Sequence, residues 1–486
     1  MEKKDSIKSN LIFNLMYQIV TVASPLILTP KLSRVFGADY LGVKSYTFSI
    51  VYYFAVFGVL GLDLYGQRRI ALEKDNLEGR SHAFWVIFSA RFSLVLLSLL
   101  LFVLFAFFAS STEFEKLVFF CWVIYLIREM INPIWFLQGI EKYSLISILG
   151  ILSQIIYVVC AFMFINEKRQ LPLYVIFYTA IPLLITLCYF PTVKKYIKWS
   201  AFCFHEIIDA IHESFVYFVP TIATAIYSMI DKTMLGIFDM EKISTGLYES
   251  AEKLVKVALA VSTSTFTIMR TRMSYLYGKN DKEQYNLVCN NFISLSMFLC
   301  WPIMFGIMGV SSDFVPVFFG IGFDEVIVLS RYFAIIVPCL TISGLLQAIY
   351  IFPFGLQKSM DYYYIFIVIV NVVMNIILIQ NIGTKGAIAA SIFAELVLAI
   401  ILLVKARKKI DVSQIFYKSM KYILSAIFMY IYIVLVSNFL NIDIIPKLLI
   451  EFFGAMVVYF LGCFMLRDTF LVGQAKKYIN ILVNKL

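Results

Sequence analysis

The sequence predicts an all-α integral membrane protein of about fourteen transmembrane helices, and three observations carry that prediction. Apolar residues make up 61% of the 486 and charged residues only 15%, with a mean hydropathy of +0.86. Apolar runs near the ~20 residues that a helix needs to cross a bilayer recur from one end of the chain to the other. Basic residues gather in alternate loops, as they do where short loops face the cytoplasm.

In order, the runs lie at about 11–32, 41–62, 83–108, 116–137, 144–165, 172–193, 214–237, 248–269, 287–310, 326–352, 361–381, 386–404, 419–440 and 447–466. The first follows Lys3, Lys4 and Lys8, is too long for a signal peptide, and lacks a small-residue cleavage site, so it reads as a span. Counting span ends with their loops, about 26 of the 41 Lys and Arg fall on one side and about 9 on the other. That bias puts both termini in the cytoplasm. The loop Ser311–Glu325, on the outer side, has no basic residue.

Short motifs recur six spans apart. Phe136-Leu137-Gln138-Gly139-Ile140-Glu141-Lys142 ends the fourth run, and Phe352-Pro353-Phe354-Gly355-Leu356-Gln357-Lys358 ends the tenth. Phe36 with Tyr40-Leu41-Gly42 opens the second run, and Phe238 with Thr245-Gly246 opens the eighth. An even offset gives the copies one orientation, hence two six-helix lobes related by a parallel pseudo-twofold, with a route between them. The expected organisation is an N-terminal lobe at 1–198, a C-terminal lobe at 199–404 with an amphipathic linker helix before it, and two extra helices with a cytoplasmic tail at 405–486.

The stretch from Pro220 to Lys256 breaks the apolar pattern. Glu249, Glu252, Lys253, Lys256, Thr263, Ser264 and Thr267 share one side of a helix, while Leu254, Val255, Ala258, Leu259 and Val261 form its apolar side. Ions at bilayer depth normally face a partner or a hydrated cavity. The cations within spans are Arg91, Arg128, Lys232, Lys253, Lys256 and Arg331, against the acids Asp63, Glu129, Asp231, Glu252 and Glu395. Glu249–Lys253 and Glu252–Lys256 stand at i, i+4 in the favourable order. Asp231–Lys232 and Arg128–Glu129 are sequence neighbours, expected to pair only across helices.

Several function classes are excluded or disfavoured. The net charge of +10 lies in short loops beside spans, which suits anionic lipid head groups rather than nucleic acid. The eight cysteines are scattered without a CxxC and read as small apolar fillers. His205, Asp209 and His212 have a spacing that zinc accepts, but alternation with Ile207, Ile208 and Ile211 favours an amphipathic helix on the inner leaflet. No metal or other cofactor is expected. There is no GxxxxGK[ST], HExxH or GxSxG, so no ATPase or hydrolase motif. Trp135 and the span-end tyrosines and phenylalanines read as interfacial anchors.

Three motif groups carry a resemblance. They are Leu32-Ser33-Arg34-Val35-Phe36-Gly37 with Tyr40-Leu41-Gly42, Gly61 and Arg69-Ile70-Ala71; Trp135-Phe136-Leu137-Gln138-Gly139-Ile140-Glu141; and Pro220 with Asp231-Lys232, Gly236, Gly246, Tyr248, Ala251 and Lys253. Together they resemble Wzx-type flippases of the multidrug/oligosaccharidyl-lipid/polysaccharide exporter superfamily. The resemblance implies no enzyme activity. It implies a bacterial inner-membrane transporter that moves undecaprenyl-pyrophosphate-linked oligosaccharide to the outer leaflet by alternating access, for capsule, O-antigen or teichoic-type chains. A monomer working beside a polymerase and glycosyltransferases is expected.

For such a cargo, Arg91, Arg128, Lys232, Lys253, Lys256, Arg331 and Arg34 are the candidate anion-binding residues, with helix locking as their alternative role and head-group anchoring as Arg34's. Arg91 and Arg128 fall in the inner half of the first lobe; Lys232, Lys253 and Lys256 fall in the outer half of the second, so a phosphate passing from one group to the other is the expected path. Asp231, Glu252 and Glu395 are candidates for proton or sodium coupling. Pro25, Pro220, Pro338 and Pro353 are candidate hinges, with packed kinks as the alternative. The rival readings are a multidrug or cation antiporter on the same fold, a membrane polymerase or glycosyltransferase, and a structural scaffold.

Overall fold

A computed structural model describes residues 7–468, and within them every regular element is a helix. The chain divides into two compact units, Met1–Gly246 and Leu247–Leu486. Unit 1 contains α1 (Ile7–Val59), α2 (Leu62–Leu72), α3 (Leu77–Ala109), α4 (Glu113–Cys121), α5 (Val123–Ile131), α6 (Ile134–Gly139), α7 (Tyr143–Phe164), α8 (Leu171–Leu187), α9 (Phe190–Tyr196) and α10 (Phe204–Phe238). Next come α11 (Ile243–Gly278), α12 (Lys282–Phe319), α13 (Asp324–Phe333), α14 (Ile336–Leu346), α15 (Gln357–Ile382), α16 (Thr384–Ala406), α17 (Ser413–Phe439) and α18 (Ile444–Met465).

Among the described residues, twelve helical stretches are long and apolar enough to cross a membrane. One of them, Phe13–Leu72, is 60 residues long and holds the first two expected spans. They are separated only at Gly37, whose backbone leaves the helical region (φ 71°, ψ 178°). The expected outer loop there shrinks to this single residue. Arg34, expected in that loop, stands in the last turn of the first helical half and donates Nη1 to the Pro30 carbonyl at 2.9 Å. α11, the expected eighth span, is absent from the twelve because its ions lower its hydropathy. The other eleven expected spans each match one stretch.

The fourth and tenth spans are not continuous helices. The fourth is α4, α5 and α6 in succession, broken at Trp122 and at Asn132-Pro133, where proline removes a donor and disfavours helical backbone before it. The tenth is α13 and α14, broken at Ala334–Ile335 and finished by a π turn over Gln347–Ile351. The motif that joins these two spans in sequence plays unequal parts in space. Gly355 takes the left-handed position after its helix (φ 67°), and Leu356 N–H donates to the Ile351 carbonyl at 3.0 Å. The same position after α6 is Glu141 (φ 60°), with Lys142 N–H on the Leu137 carbonyl at 2.9 Å. Gly139 serves close packing instead: a Cβ there would stand 2.7 Å from Ile70 Cβ. The two turns therefore align two residues away from the motif match.

Gly42 and Gly246, the other matched pair, meet each other. A Cβ on Gly42 would stand 1.8 Å from the Lys242 carbonyl oxygen, and one on Gly246 would stand 1.9 Å from the Ala38 carbonyl oxygen. Backbone lies against backbone, as at small-residue crossings of membrane helices.

α10, expected to open the C-terminal lobe, packs on α1, α2 and α3. Thr233 Oγ1 donates to Ser49 Oγ at 2.9 Å, and Lys242 Nζ reaches the Gly236 carbonyl at 2.5 Å while lying over the Tyr46 ring. At the amphipathic start of α10, Ile207 and Ile211 pack on the buried cluster around Ile70, Phe84 and Trp135 while Ile208 stays 48% exposed, so protein covers only part of this apolar side. His205 pairs with Asp209 at 2.9 Å, and among the described residues no three His, Cys, Asp or Glu converge.

Gly42→Ala and Gly246→Ala should each lower the thermal midpoint in detergent and the folded yield, because the added methyl meets backbone that cannot yield. Gly278→Ala, with nothing within 4 Å, should leave both unchanged.

Candidate functional site

In unit 1 the sequence brings four charged groups from three helices into one chain of contacts. Arg91, on α3, is 0% exposed. Its Nη1 pairs with Asp63 at the start of α2. Its Nη2 donates to Glu129 Oε2 at 3.0 Å, and its Nε to the Glu129 carbonyl at 2.5 Å, both on α5. Glu129 Oε1 in turn takes Arg128 Nη2 at 2.9 Å. Two cations and two carboxylates make the quartet neutral, which is what a low-dielectric interior requires. Arg91 is thereby committed to holding α2, α3 and α5 together. The Arg128–Glu129 contact corrects the expectation that sequence neighbours pair only across helices: the long arginine side chain reaches sideways to the adjacent carboxylate.

Arg128 differs from Arg91 in what its remaining donors meet. It keeps 25% of its side-chain surface exposed and lines a cavity of about 220 Å³ with Phe48, Tyr125, Ser153, Gln154, Tyr157, Tyr178 and Pro182. Its guanidinium lies over the Tyr125 ring at 5.5 Å. Phe48 meets Tyr125 edge-on at 5.9 Å, and Tyr157 meets Tyr178 at 5.5 Å, so the rings brace one another. The volume is below the ~300–1,000 Å³ of sites for drug-sized ligands; it admits one phosphate or one ring, not an oligosaccharide.

Sequence reasoning missed this cavity because Tyr125, Tyr157 and Tyr178 lie inside three separate runs that no local pattern joins. The signal was present in Tyr125 and Arg128, one helical turn apart, and in Gln154 and Tyr157 at the same spacing. Trp135 is corrected too: it is 1% exposed and stacks on Phe84 at 5.6 Å inside the core.

The other cations are distributed more widely. Lys232 is half-buried on α10 beside buried Asp231. On α11, Lys253 pairs with Glu249 at 3.7 Å and Lys256 with Glu252 at 2.6 Å, the two i, i+4 contacts expected from the sequence. Lys256 keeps 59% of its side chain exposed, and Thr263, Ser264 and Thr267 continue that exposed side along the helix. Arg331, on α13, donates to the Met308 carbonyl at 3.1 Å and to Ser312 Oγ at 2.5 Å, both on α12, and so ties two helices. Arg34 is exposed, and Glu395 is buried on α16.

Pro25 and Pro220 lie inside helices, where Thr29 and Thr224 hydroxyls donate to their carbonyls. Pro338 is in the first turn of α14, and Pro353 is in the turn after Ile351; both stand at helix ends.

A family model described as polysaccharide biosynthesis protein matches residues 7–269. The chain belongs to that family. Among curated relatives, a protein of Escherichia coli (strain K12) named for O-antigen transport is 22% identical over 52% of this chain. The Haloferax volcanii low-salt glycan biosynthesis flippase Agl15 is 26% identical over 36% of this chain. The chain spans 61% and 36% of the lengths of these two relatives. Among solved structures, the lipid II flippase MurJ in an inward closed conformation superposes with a TM-score of 0.72 at 16% identity, covering 94% of this chain and 99% of MurJ. An inward-facing multidrug resistance MATE transporter of the MOP superfamily gives 0.62 at 13% identity, covering 83% and 98%. The chain therefore has the fold that MurJ and MATE transporters share.

Arg91→Met should destabilise the protein by about 3–5 kcal/mol, since it leaves Asp63 and Glu129 short of their buried counter-ion. Arg128→Gln should cost far less, because Arg128 is the partly exposed end of the quartet; thermal unfolding of the two purified variants compares them.

Proposed function

We propose that this chain is a flippase for undecaprenyl-pyrophosphate-linked oligosaccharide repeat units, carrying them from the inner to the outer leaflet by alternating access. The observation that carries this reading is the Arg128 cavity: a cation, three tyrosines and Gln154 gathered inside a membrane-spanning bundle. One phosphate or one sugar ring of an anionic head group finds charge-assisted donors and ring faces there. Membership of the polysaccharide biosynthesis family and the names of the two relatives point the same way. Fold likeness alone does not choose a cargo.

In this reading Arg128 meets the anion in unit 1, and Lys232, Lys253, Lys256 and Arg34 supply further positive charge along its path. Arg91 and Arg331 hold helices in place. Pro25 and Pro220, inside α1 and α10, are where those helices bend. Asp231, Glu252 and Glu395 remain the coupling candidates of the spans they occupy. The protein makes and breaks no covalent bond; it acts as a monomer in a bacterial cytoplasmic membrane, both termini inside, beside the glycosyltransferases and polymerase of its pathway. The repeat-based organisation, lobes at 1–198 and 199–404 with two further helices, is part of the same proposal.

A multidrug antiporter on this fold is the rival. Among the described residues, the cavity lining holds Arg128 and no carboxylate, which suits a phosphate better than a cationic drug.

Reconstituted in vesicles, the protein should make lipid-linked oligosaccharide accessible to a probe added outside. Arg128→Gln, and Lys253→Gln with Lys256→Gln, should each slow that exposure about tenfold or more with the fold retained. Unchanged rates in both variants, or transport of a cationic dye in place of the lipid, would overturn the reading.

A further inference from the structure

We propose that Asp313 and Glu451 form a proton-binding pair in unit 2, with Glu451 carrying the exchangeable proton. The pair lies where α12, α17 and α18 pack together. Asp313 Oδ1 is 3.1 Å from Lys447 Nζ, and Asp313 Oδ2 accepts from Ser437 Oγ at 2.5 Å. Both charged side chains of that ion pair are 13% exposed.

Glu451 stands one turn after Lys447 on α18 and is 0% exposed. Neither of its carboxyl oxygens meets an N–H or O–H donor among the described residues, and the Asp313 carboxyl, held by Lys447 one turn earlier on the same helix, is the group set against it. The other polar neighbours are accounted for. Lys447 is on Asp313, Ser437 of α17 is on Asp313, and Tyr432 of α17 donates to the Ile450 carbonyl at 3.3 Å.

Hydrogen-bond accounting fixes the protonation state. Two ionised carboxylates side by side would be acceptors without a donor between them, and one ammonium balances only one of them. With the proton on Glu451, its O–H donates to Asp313, and the cluster is neutral. Loss of that proton leaves two carboxylates against Lys447, a net negative charge that a dry site rejects. Glu451 therefore releases its proton only when water reaches the cluster. Asp313 follows Ser311, at the end of α12 that the loop charges assign to the outside, so the exchange is with the outer face.

Coupling this proton to transport rests on the flippase reading; the proton site does not. Infrared spectroscopy of the full chain in lipid bilayers at neutral pH, where ordinary carboxyls are ionised, tests the site. Wild type should show a protonated-carboxyl stretch that Glu451→Gln deletes, the amide taking over the bond to Asp313. Asp313→Asn should delete it as well, because an ionised Glu451 then pairs with Lys447; this variant also serves if Glu451→Gln does not fold. Spectra of variant and wild type that do not differ overturn the site.

In vesicles, flipping by wild type should change by up to about tenfold per pH unit over the titrating range, and Glu451→Gln should flatten that profile. A variant with the wild-type profile overturns the coupling. Absence of any flipping by wild type removes the flippase reading on which the coupling rests, and the infrared result then still decides the proton site.

Discussion

The Arg91 guanidinium is the constraint on which unit 1 depends. It is wholly enclosed, so its charge needs counter-ions brought to it by other helices. Asp63 fixes the start of α2 and Glu129 fixes α5, and α5 exists as a separate nine-residue helix because the span is broken on both sides of it. The break at Trp122 and the break at Asn132-Pro133 free α5 to present Glu129 to Arg91 with Arg128 on the other oxygen of the same carboxylate. Helix interruption, ion pairing and cavity lining are thus one arrangement.

The same division between holding and presenting runs through unit 2. Arg331 is engaged by a backbone carbonyl and a serine of the neighbouring helix. The lysines of α11 pair along their own helix and leave an exposed hydroxyl-bearing side beyond them. Buried ions in a bilayer protein need not be functional one by one; what distinguishes Arg128 and Lys256 is a surface left over after pairing.

Hydropathy and the i, i+4 spacings were enough to read the helical class, the places of the twelve apolar stretches and the α11 ion pairs. These depend on local sequence. What escaped depends on how helices meet. Gly37 joins two spans in one helical run, which no hydropathy window separates from a short loop. The F-x-x-G match aligned Gly139 with Gly355, yet the left-handed turn positions are Glu141 and Gly355, because a packed glycine and a capping glycine look alike in sequence. The tyrosines of the Arg128 cavity belong to three different helices, so their convergence had no local signature. Lys447 and Glu451 stand at Lys-x-x-x-Glu spacing inside the last span, a local signal of buried ions, but their partner Asp313 is on a distant helix.

The neutrality of the Asp63–Arg91–Glu129–Arg128 chain has a consequence for how such a sequence drifts. Replacing Arg91 or Glu129 leaves an odd charge at the enclosed centre of the bundle, whereas Asp63 and Arg128, 48% and 25% exposed, stand at its wetter ends and can be exchanged at lower cost. The enclosed pair therefore tolerates single changes least, while the rings around the cavity carry no charge to balance and can be exchanged one at a time.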